Sequence, residues 1–283
     1  MSIEIIISMD NKLNNVSFLR YPGGKQRHLY FFNELLPKSK SIKGNYVEPF
    51  VGGGSVFFYM NPNGAILSDK NLELIDLYKG IKEFPDEVWQ YYCSFPTTKK
   101  AYYQIRDFPT QNIPLSLRAA RTLYLNRTCF KGMWRHNSQG KFNVGYGGQD
   151  RRWVITQEDL KEISSRLSNV VLKCYDFEKI INSCNRGDFL FLDPPYRPGE
   201  KEQIYSHYVS GKFTFNDQKR LARSLRKASN KGVKWLMTNS SNDEIKRMYD
   251  GYSCIPLQRG TSGTPGIMTS NPGEIIIHNL TEG

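Results

Sequence analysis

Between Asn45 and Phe84 the chain alternates strand-like and helix-like patterning around three consecutive glycines, and no other stretch constrains the fold so tightly. Asn45-Tyr46-Val47-Glu48-Pro49-Phe50 reads as a strand. Gly52-Gly53-Gly54 turns it, and Ser55 to Met60 starts a helix. Ala65 to Asp69 reads as a second strand, followed by a helix with apolar Leu72, Ile75, Leu77, Tyr78 and Ile81. Strand, turn, helix, strand is the opening of a parallel α/β sheet, because parallel neighbours need a crossover connection. The same pattern returns late in the chain. Val170 to Tyr175 predicts a strand, Phe177 to Cys184 a helix, and Asp188 to Leu192 a continuous apolar strand suited to the centre of a sheet. A helix over Asn216–Lys231 and strands over Lys234–Thr238 and Glu274–His278 complete the set. Gly260 to Gly273, rich in Gly, Ser, Thr and Pro, reads as a mobile loop.

From about Pro85 to Leu167 the character changes. The pattern there is helical and aromatic, with a polar, Gly-rich break from Asn137 to Gly148. Helices are expected over Asp86–Ser94, Leu115–Phe130 and Thr156–Leu167, the last capped by Thr156 with Asp159. The expected organisation is discontinuous: residues 1–84 and 168–283 form the α/β domain, and residues 85–167 form a helical insert.

Charge and cysteine usage narrow the class. The 39 Lys plus Arg outnumber the 27 Asp plus Glu, which suits a polyanionic partner or a generally basic surface. The five cysteines are scattered with no C-x-x-C pair, so they read as reduced packing residues, and the four histidines form no zinc pattern. Ile5-Ile6-Ile7 is too short for a signal or membrane segment, so a soluble cytoplasmic protein without membrane contact is expected.

Four segments carry candidate chemistry. Asp193-Pro194-Pro195-Tyr196 follows the apolar strand at its carboxyl end, where open α/β sheets bind ligands. A planar exocyclic amine is a poor nucleophile because its lone pair is delocalised into the ring. A carboxylate at Asp193 and a carbonyl at Pro194 could each accept one amine hydrogen and free that lone pair. Proline offers only acceptor character and a rigid turn. Tyr196 could stack on an extruded base. The alternative is an ordinary strand-ending turn. Glu48-Pro49-Phe50-Val51-Gly52-Gly53-Gly54-Ser55 allows close backbone approach to a ligand. It lacks the third glycine of a dinucleotide fingerprint, which is Phe57 here, and it lacks a phosphate-binding lysine. A zwitterionic amino-acid nucleoside suits it, with Asp69 after the next strand placed for ribose hydroxyls, though a structural turn reads equally well. Arg20-Tyr21-Pro22-Gly23-Gly24-Lys25 could bring a ring and an ammonium to one small ligand, or be a surface turn. Between Leu115 and Ile155, Arg118, Arg121, Arg127, Lys131, Arg135, Lys141, Arg151 and Arg152 face the single acid Asp150, with aromatic and amide residues interleaved. That mixture can grip phosphates and read base edges, or be a solvated basic face.

Taken in order, these segments resemble the Dam-type (D12 class, alpha-group) DNA adenine-N6 methyltransferases. The resemblance runs from about Phe18 to Leu280. It includes Leu125-Asn126-Arg127, Lys131 to Arg135 with Asn137, and Gly140 to Val144. The fold it implies is α/β: a Rossmann-like S-adenosylmethionine-dependent methyltransferase sheet with an inserted helical DNA-recognition subdomain. It implies that Tyr21, Lys25, Glu48, Phe50, Gly52, Gly54, Asp69, Asp176, Phe177 and Asp193 hold S-adenosylmethionine. Asp193, Pro194, Pro195 and Tyr196 would be catalytic. Asn126, Arg127, Lys131, Met133, Arg135, Asn137, Arg151 and Arg152 would meet double-stranded DNA. A monomer is expected, with a cognate restriction endonuclease on the same site as a possible partner.

The sequence also departs from the members that read GATC. Those carry Asn at the position of Lys131, Leu at Met133, Pro at Gly145 and a base-reading Arg at Gly148. A bidentate arginine–guanine contact discriminates by about 1–3 kcal/mol, so its loss at Gly148 points to another target, with Arg151 or Arg152 substituting from a shifted position. Rival readings are a methyltransferase of cytosine N4, RNA or protein glutamine, a non-catalytic DNA-binding protein, and a nuclease built on Glu244-Ile245-Lys246. Asp at the head of the tetrapeptide favours adenine over the first of these.

Overall fold

The computed structural model describes residues 18–20, 29–137, 139–195, 213–257 and 273–280. In chain order its elements are β1 (Tyr46–Glu48), α1 (Ser55–Met60), β2 (Ala65–Ser68), α2 (Leu72–Glu83), α3 (Pro85–Ser94), α4 (Lys99–Asp107) and α5 (Leu115–Thr128). There follow α6 (Gln157–Leu167), β3 (Val170–Lys173), α7 (Phe177–Asn182), β4 (Phe189–Leu192), α8 (Phe215–Asn230), β5 (Lys234–Ser240), α9 (Asp243–Met248), β6 (Ser253–Leu257) and β7 (Glu274–His278). The strands form one sheet in the order β3-β2-β1-β4-β5-β7-β6. β1 to β5 run parallel, and β7 is antiparallel to both β5 and β6. Strand order reverses between β1 and β4, the switch point where α/β sheets open a ligand crevice.

Alternation along the strands builds a core on each face. Tyr46, Phe189, Phe191, Leu236 and Ile276 point to one side. Val47, Leu190, Leu192, Trp235, Met237, Ile275 and Ile277 point to the other, against α7, α8 and Ile245 of α9. The first core continues without a break into α2, α3, α5 and α6, so residues 85–167 share the hydrophobic interior of one sheet face. The Thr156–Asp159 capping box forms at the start of α6 as the sequence predicts.

Several elements differ from expectation, the short α9 among them. α4 was not foreseen, because only Ala101 and Tyr102 of its nine residues are buried and its apolar signal is weak. β6 was not foreseen either. It is an edge strand containing Pro256, with Leu257 its one buried residue, and edges tolerate such sequences. α5 stops at Thr128 rather than Phe130, and a short 3-10 turn follows in which Lys131 takes φ +53°. The expected loop at Gly260 to Gly273 lies outside the described residues but for Gly273. Among the described residues no helix is long and apolar enough to cross a membrane.

The contact between α2 and α5 is close enough to forbid a methyl group. A Cβ on Gly80 would lie 2.4 Å from the Cβ of Ala119 and 3.2 Å from the Leu115 carbonyl oxygen. Gly80→Ala is therefore expected to destabilise the protein by about 1–3 kcal/mol, the usual cost of overpacking. A lowered urea midpoint at unchanged slope would register it. A midpoint equal to the parent's would mean the helices separate freely.

Candidate active site

The glycine turn leaves β1 and is clamped from two sides. Gly52 and Gly54 adopt φ of +48° and +67°, a region that L side chains avoid. A Cβ on Gly54 would also lie 2.7 Å from the Tyr78 hydroxyl oxygen. That hydroxyl donates to the Gly52 carbonyl at 3.0 Å. The Gly52 N–H donates to Asp69 Oδ2 at 3.3 Å, and the Asn71 N–H donates to Asp69 Oδ1 at 2.9 Å. Asp69 thus ties the end of β2 to the loop, and burial raises its carboxyl above the ordinary range.

An aromatic wall stands beside the turn. Phe50 stacks on Phe177 at 5.3 Å, and Phe213 packs against both. Asp176 caps α7 by accepting from the Glu178 N–H at 3.0 Å. Arg220 of α8 holds the same carboxylate at 2.8 Å, pairs with Glu178 and Asp217, and lies over the Phe177 ring.

Asp193 and Pro194 complete the cavity from the tip of β4. Glu48, Phe50, Gly52 to Gly54, Asp69, Asp176, Phe177, Asp193, Pro194 and Pro195 line one space of about 860 Å³. Thr238 of β5, fully buried, donates its hydroxyl to Asp193 Oδ1 at 2.7 Å. Glu48 is buried below, bonded to the Tyr46 hydroxyl. Burial pushes the Glu48 carboxyl up to about 8, and the nearby Asp193 charge adds to this. Near pH 7 Glu48 is therefore mostly neutral, which spares Asp193 a second negative charge.

The lining tests the implied cofactor directly. Among the described residues it carries six carboxyl groups (Glu48, Asp69, Glu73, Asp176, Asp193 and Asp217) against one ammonium, Lys70. Such a site repels phosphate and suits a cationic ligand with hydroxyl groups. An aromatic wall suits a nucleobase. The residues present fit S-adenosylmethionine. Tyr21, Lys25 and Tyr196 lie outside the described residues.

The residues expected to meet DNA separate into groups. Lys131 and Arg151 are exposed and line a smaller basic cleft of about 240 Å³ with Arg20, Arg127 and Gly148. Burial, then the charges of Arg20 and Arg151, lower the pKa of Arg127. Arg135 is exposed on a turn, its guanidinium steered by Asn143 at 2.9 Å. Asn137 closes that turn, accepting from the Gln139 and Lys141 N–H groups at 3.0 Å each. Met133 is half-buried against the core.

Two of the residues expected to contact DNA are buried inside the protein. Asn126 is fully buried and pairs with both backbone groups of Arg20, at 2.9 and 2.7 Å. Arg152 is fully buried too. Its guanidinium donates to the Tyr92 and Phe95 carbonyls at 2.6 and 2.7 Å and lies over the Tyr124 and Trp153 rings. Both bond backbone groups inside the protein. Sequence reading missed Thr238, Gln218 and Asn239 near the tetrapeptide, Arg220 behind the aromatic wall, and Glu73, which receives Arg121 at 3.3 Å and His136 at 2.9 Å.

The sheet order and the acid-lined crevice at its switch point define a methyltransferase-type α/β protein. Residues 21–262 match the D12 class N6 adenine-specific DNA methyltransferases. The chain is 31% identical over 280 residues to the type II methyltransferase M1.LlaDCHI of Lactococcus lactis, spanning 95% of this chain and 97% of that one. It is 34% identical over 256 residues to the type II methyltransferase M.MjaIII of Methanocaldococcus jannaschii, spanning 83% and 88%. The DNA adenine methylase of Haemophilus influenzae is 29% identical over 269 residues, spanning 91% and 92%. The chain belongs to the D12 class N6 adenine-specific DNA methyltransferase family, whose methyl donor is S-adenosylmethionine.

The buried Glu48 makes stability depend on pH. An unfolded chain releases this proton near the ordinary carboxylate value of 4.5, whereas the folded protein keeps it to about 8. The contribution of Glu48 is therefore full below about pH 4.5 and is lost as pH rises towards 8. Thermal midpoints of the parent and Glu48→Gln, compared from pH 5 to 9, should show the variant gaining on the parent up to about pH 8 and then running parallel. Parallel curves throughout would mean that Glu48 ionises normally.

Proposed function

We propose that this protein methylates the N6 amine of an adenine flipped out of double-stranded DNA, at a site other than GATC. One observation carries the reading: Asp193 and Pro194 line the same cavity as the Gly52–Gly54 turn. When bound, S-adenosylmethionine supplies a methyl group on a positively charged sulfur. Glu48, Phe50, Gly52, Gly54, Asp69, Asp176 and Phe177 would hold it, with Tyr21 and Lys25 from the preceding segment. Asp193 and the Pro194 carbonyl accept the two amine hydrogens and leave the nitrogen lone pair facing the methyl group. Asp193 also stands where the proton lost on bond formation can be taken. Tyr196 would stack on the extruded base, whose flipping costs a few kcal/mol. Positioning, rather than acid catalysis, supplies the rate.

Residues 85–167 act in this reading as the target-recognition segment, and residues 1–84 with 168–283 as the catalytic domain. Lys131, Arg151 and Arg127 grip the duplex at the basic cleft, while Arg135, Met133 and Asn137 face it from the adjoining turn. Arg151 shares its cleft with Gly148, which supports substitution for the missing arginine at that position. The kinship with type II methyltransferases supports a cognate restriction endonuclease on the same site. The enzyme would work as a monomer in the cytoplasm, at bacterial or phage DNA.

Asp193→Ala should abolish methyl transfer to DNA while the protein stays folded, as read by tritium incorporation and circular dichroism. Persistent turnover would remove Asp193 from the chemistry. Arg151→Ala should relax the choice of base at one position of the target by about 1–3 kcal/mol. Single-molecule sequencing of DNA from an expressing host reads this, and an unchanged motif would exclude Arg151 from base reading.

A further inference from the structure

The tetrapeptide has an anchoring problem that its own sequence creates. Pro194 and Pro195 are consecutive and neither has an N–H to donate. The turn can be held there only through its carbonyl oxygens and the Asp193 side chain. Among the described residues, β5 and α8 supply partners to both.

Parallel pairing of β4 with β5 sets Leu192 opposite Met237, so Asp193 and Thr238 follow side by side. The Thr238 hydroxyl, fully buried, lies 2.7 Å from Asp193 Oδ1. An ionised carboxylate only accepts, so Thr238 must be the donor. The next residue works on the opposite side of the strand. Asn239, also fully buried, accepts the Ser240 N–H at 2.8 Å through Oδ1. That fixes its amide so that Nδ2–H donates to Gln218 Oε1 at 3.1 Å. Gln218 Nε2–H, in turn, donates to the Pro195 carbonyl at 3.3 Å. Every donor in this chain meets an acceptor, and the direction of each amide follows from the one before it.

We propose that the end of β5 is the positioning element of the active site: Thr238 orients the Asp193 carboxylate, and Asn239 acting through Gln218 orients the Pro194–Pro195 turn. All three are positioning residues, and the proposal rests on the reading of Asp193 and Pro194 as the amine acceptors. With the Asp193 carboxylate and the Pro195 carbonyl both pinned, and the φ angles of both prolines fixed by their rings, the Pro194 carbonyl between them has little freedom. Pre-set acceptor directions matter because a misplacement near 1 Å can cost about 100-fold in rate.

The test uses full-length Thr238→Val, Thr238→Ser, Gln218→Met and Asp193→Ala in single-turnover methyl transfer to unmethylated genomic DNA, with S-adenosylmethionine affinity measured by calorimetry. Thr238→Val should lose on the order of 10- to 100-fold in rate while its cofactor Kd stays within about twofold. Thr238→Ser, which keeps the donor, should recover to within about fivefold of the parent. Gln218→Met should show the same split between rate and Kd, and it carries the test if Thr238→Val does not fold. Parent-like rates in Thr238→Val and Gln218→Met, with Asp193→Ala dead, would overturn this proposal and leave the catalytic reading standing. Rate and cofactor affinity falling together would reduce the network to a structural role and overturn it too. An active Asp193→Ala would instead overturn the reading beneath it.

Discussion

The parallel pairing of β1 with β4 is the contact on which the site depends. Tyr46 lies opposite Phe189 and Val47 opposite Leu190. Two strands running the same way finish at the same edge, so the glycine turn after Glu48 and the tetrapeptide after Leu192 open into one crevice. The fully buried run Phe189–Leu192 fixes the register, because a slip of one residue would move every side chain to the wrong face. Neutral Glu48 beneath that edge removes the repulsion that a second carboxylate would impose on Asp193.

The helical segment is held to this edge by packing and by polar anchors inside it. α5 packs on α2, and Arg152 bonds the carbonyls at the end of α3 from within an aromatic box. Asn126 pairs with the backbone of Arg20, immediately before the Tyr21–Lys25 segment. Glu73 on α2 receives both Arg121 and His136, and both Glu73 and His136 line the large cavity. The helical segment is thus tied to the wall of the large cavity through one carboxylate.

Much of this was legible in the sequence because it rests on local rules. Glycines at positive φ, an acidic residue at a strand tip and an unbroken apolar strand each carry their own signal. So did the Thr156–Asp159 cap. What escaped was the work of residues whose partners are distant in sequence. Arg152 and Arg151 are adjacent and chemically identical, yet one is sealed in the core and the other exposed. Charge counting cannot separate them, since only tertiary packing decides which guanidinium finds buried carbonyls. Asn126 reads as a base-contacting amide until its partner, 106 residues away, is seen. Thr238 and Asn239 end a strand in an ordinary polar way, and their role appears only once β4 lies alongside.

The most direct measurement is a crystal structure of the enzyme with S-adenosylhomocysteine and a cognate duplex. The expected result is an extrahelical adenine with its N6 about 3 Å from both an Asp193 carboxylate oxygen and the Pro194 carbonyl oxygen, beside the cofactor sulfur. An adenine whose amine points away from the β4 tip, with Asp193 turned to other partners, would contradict it.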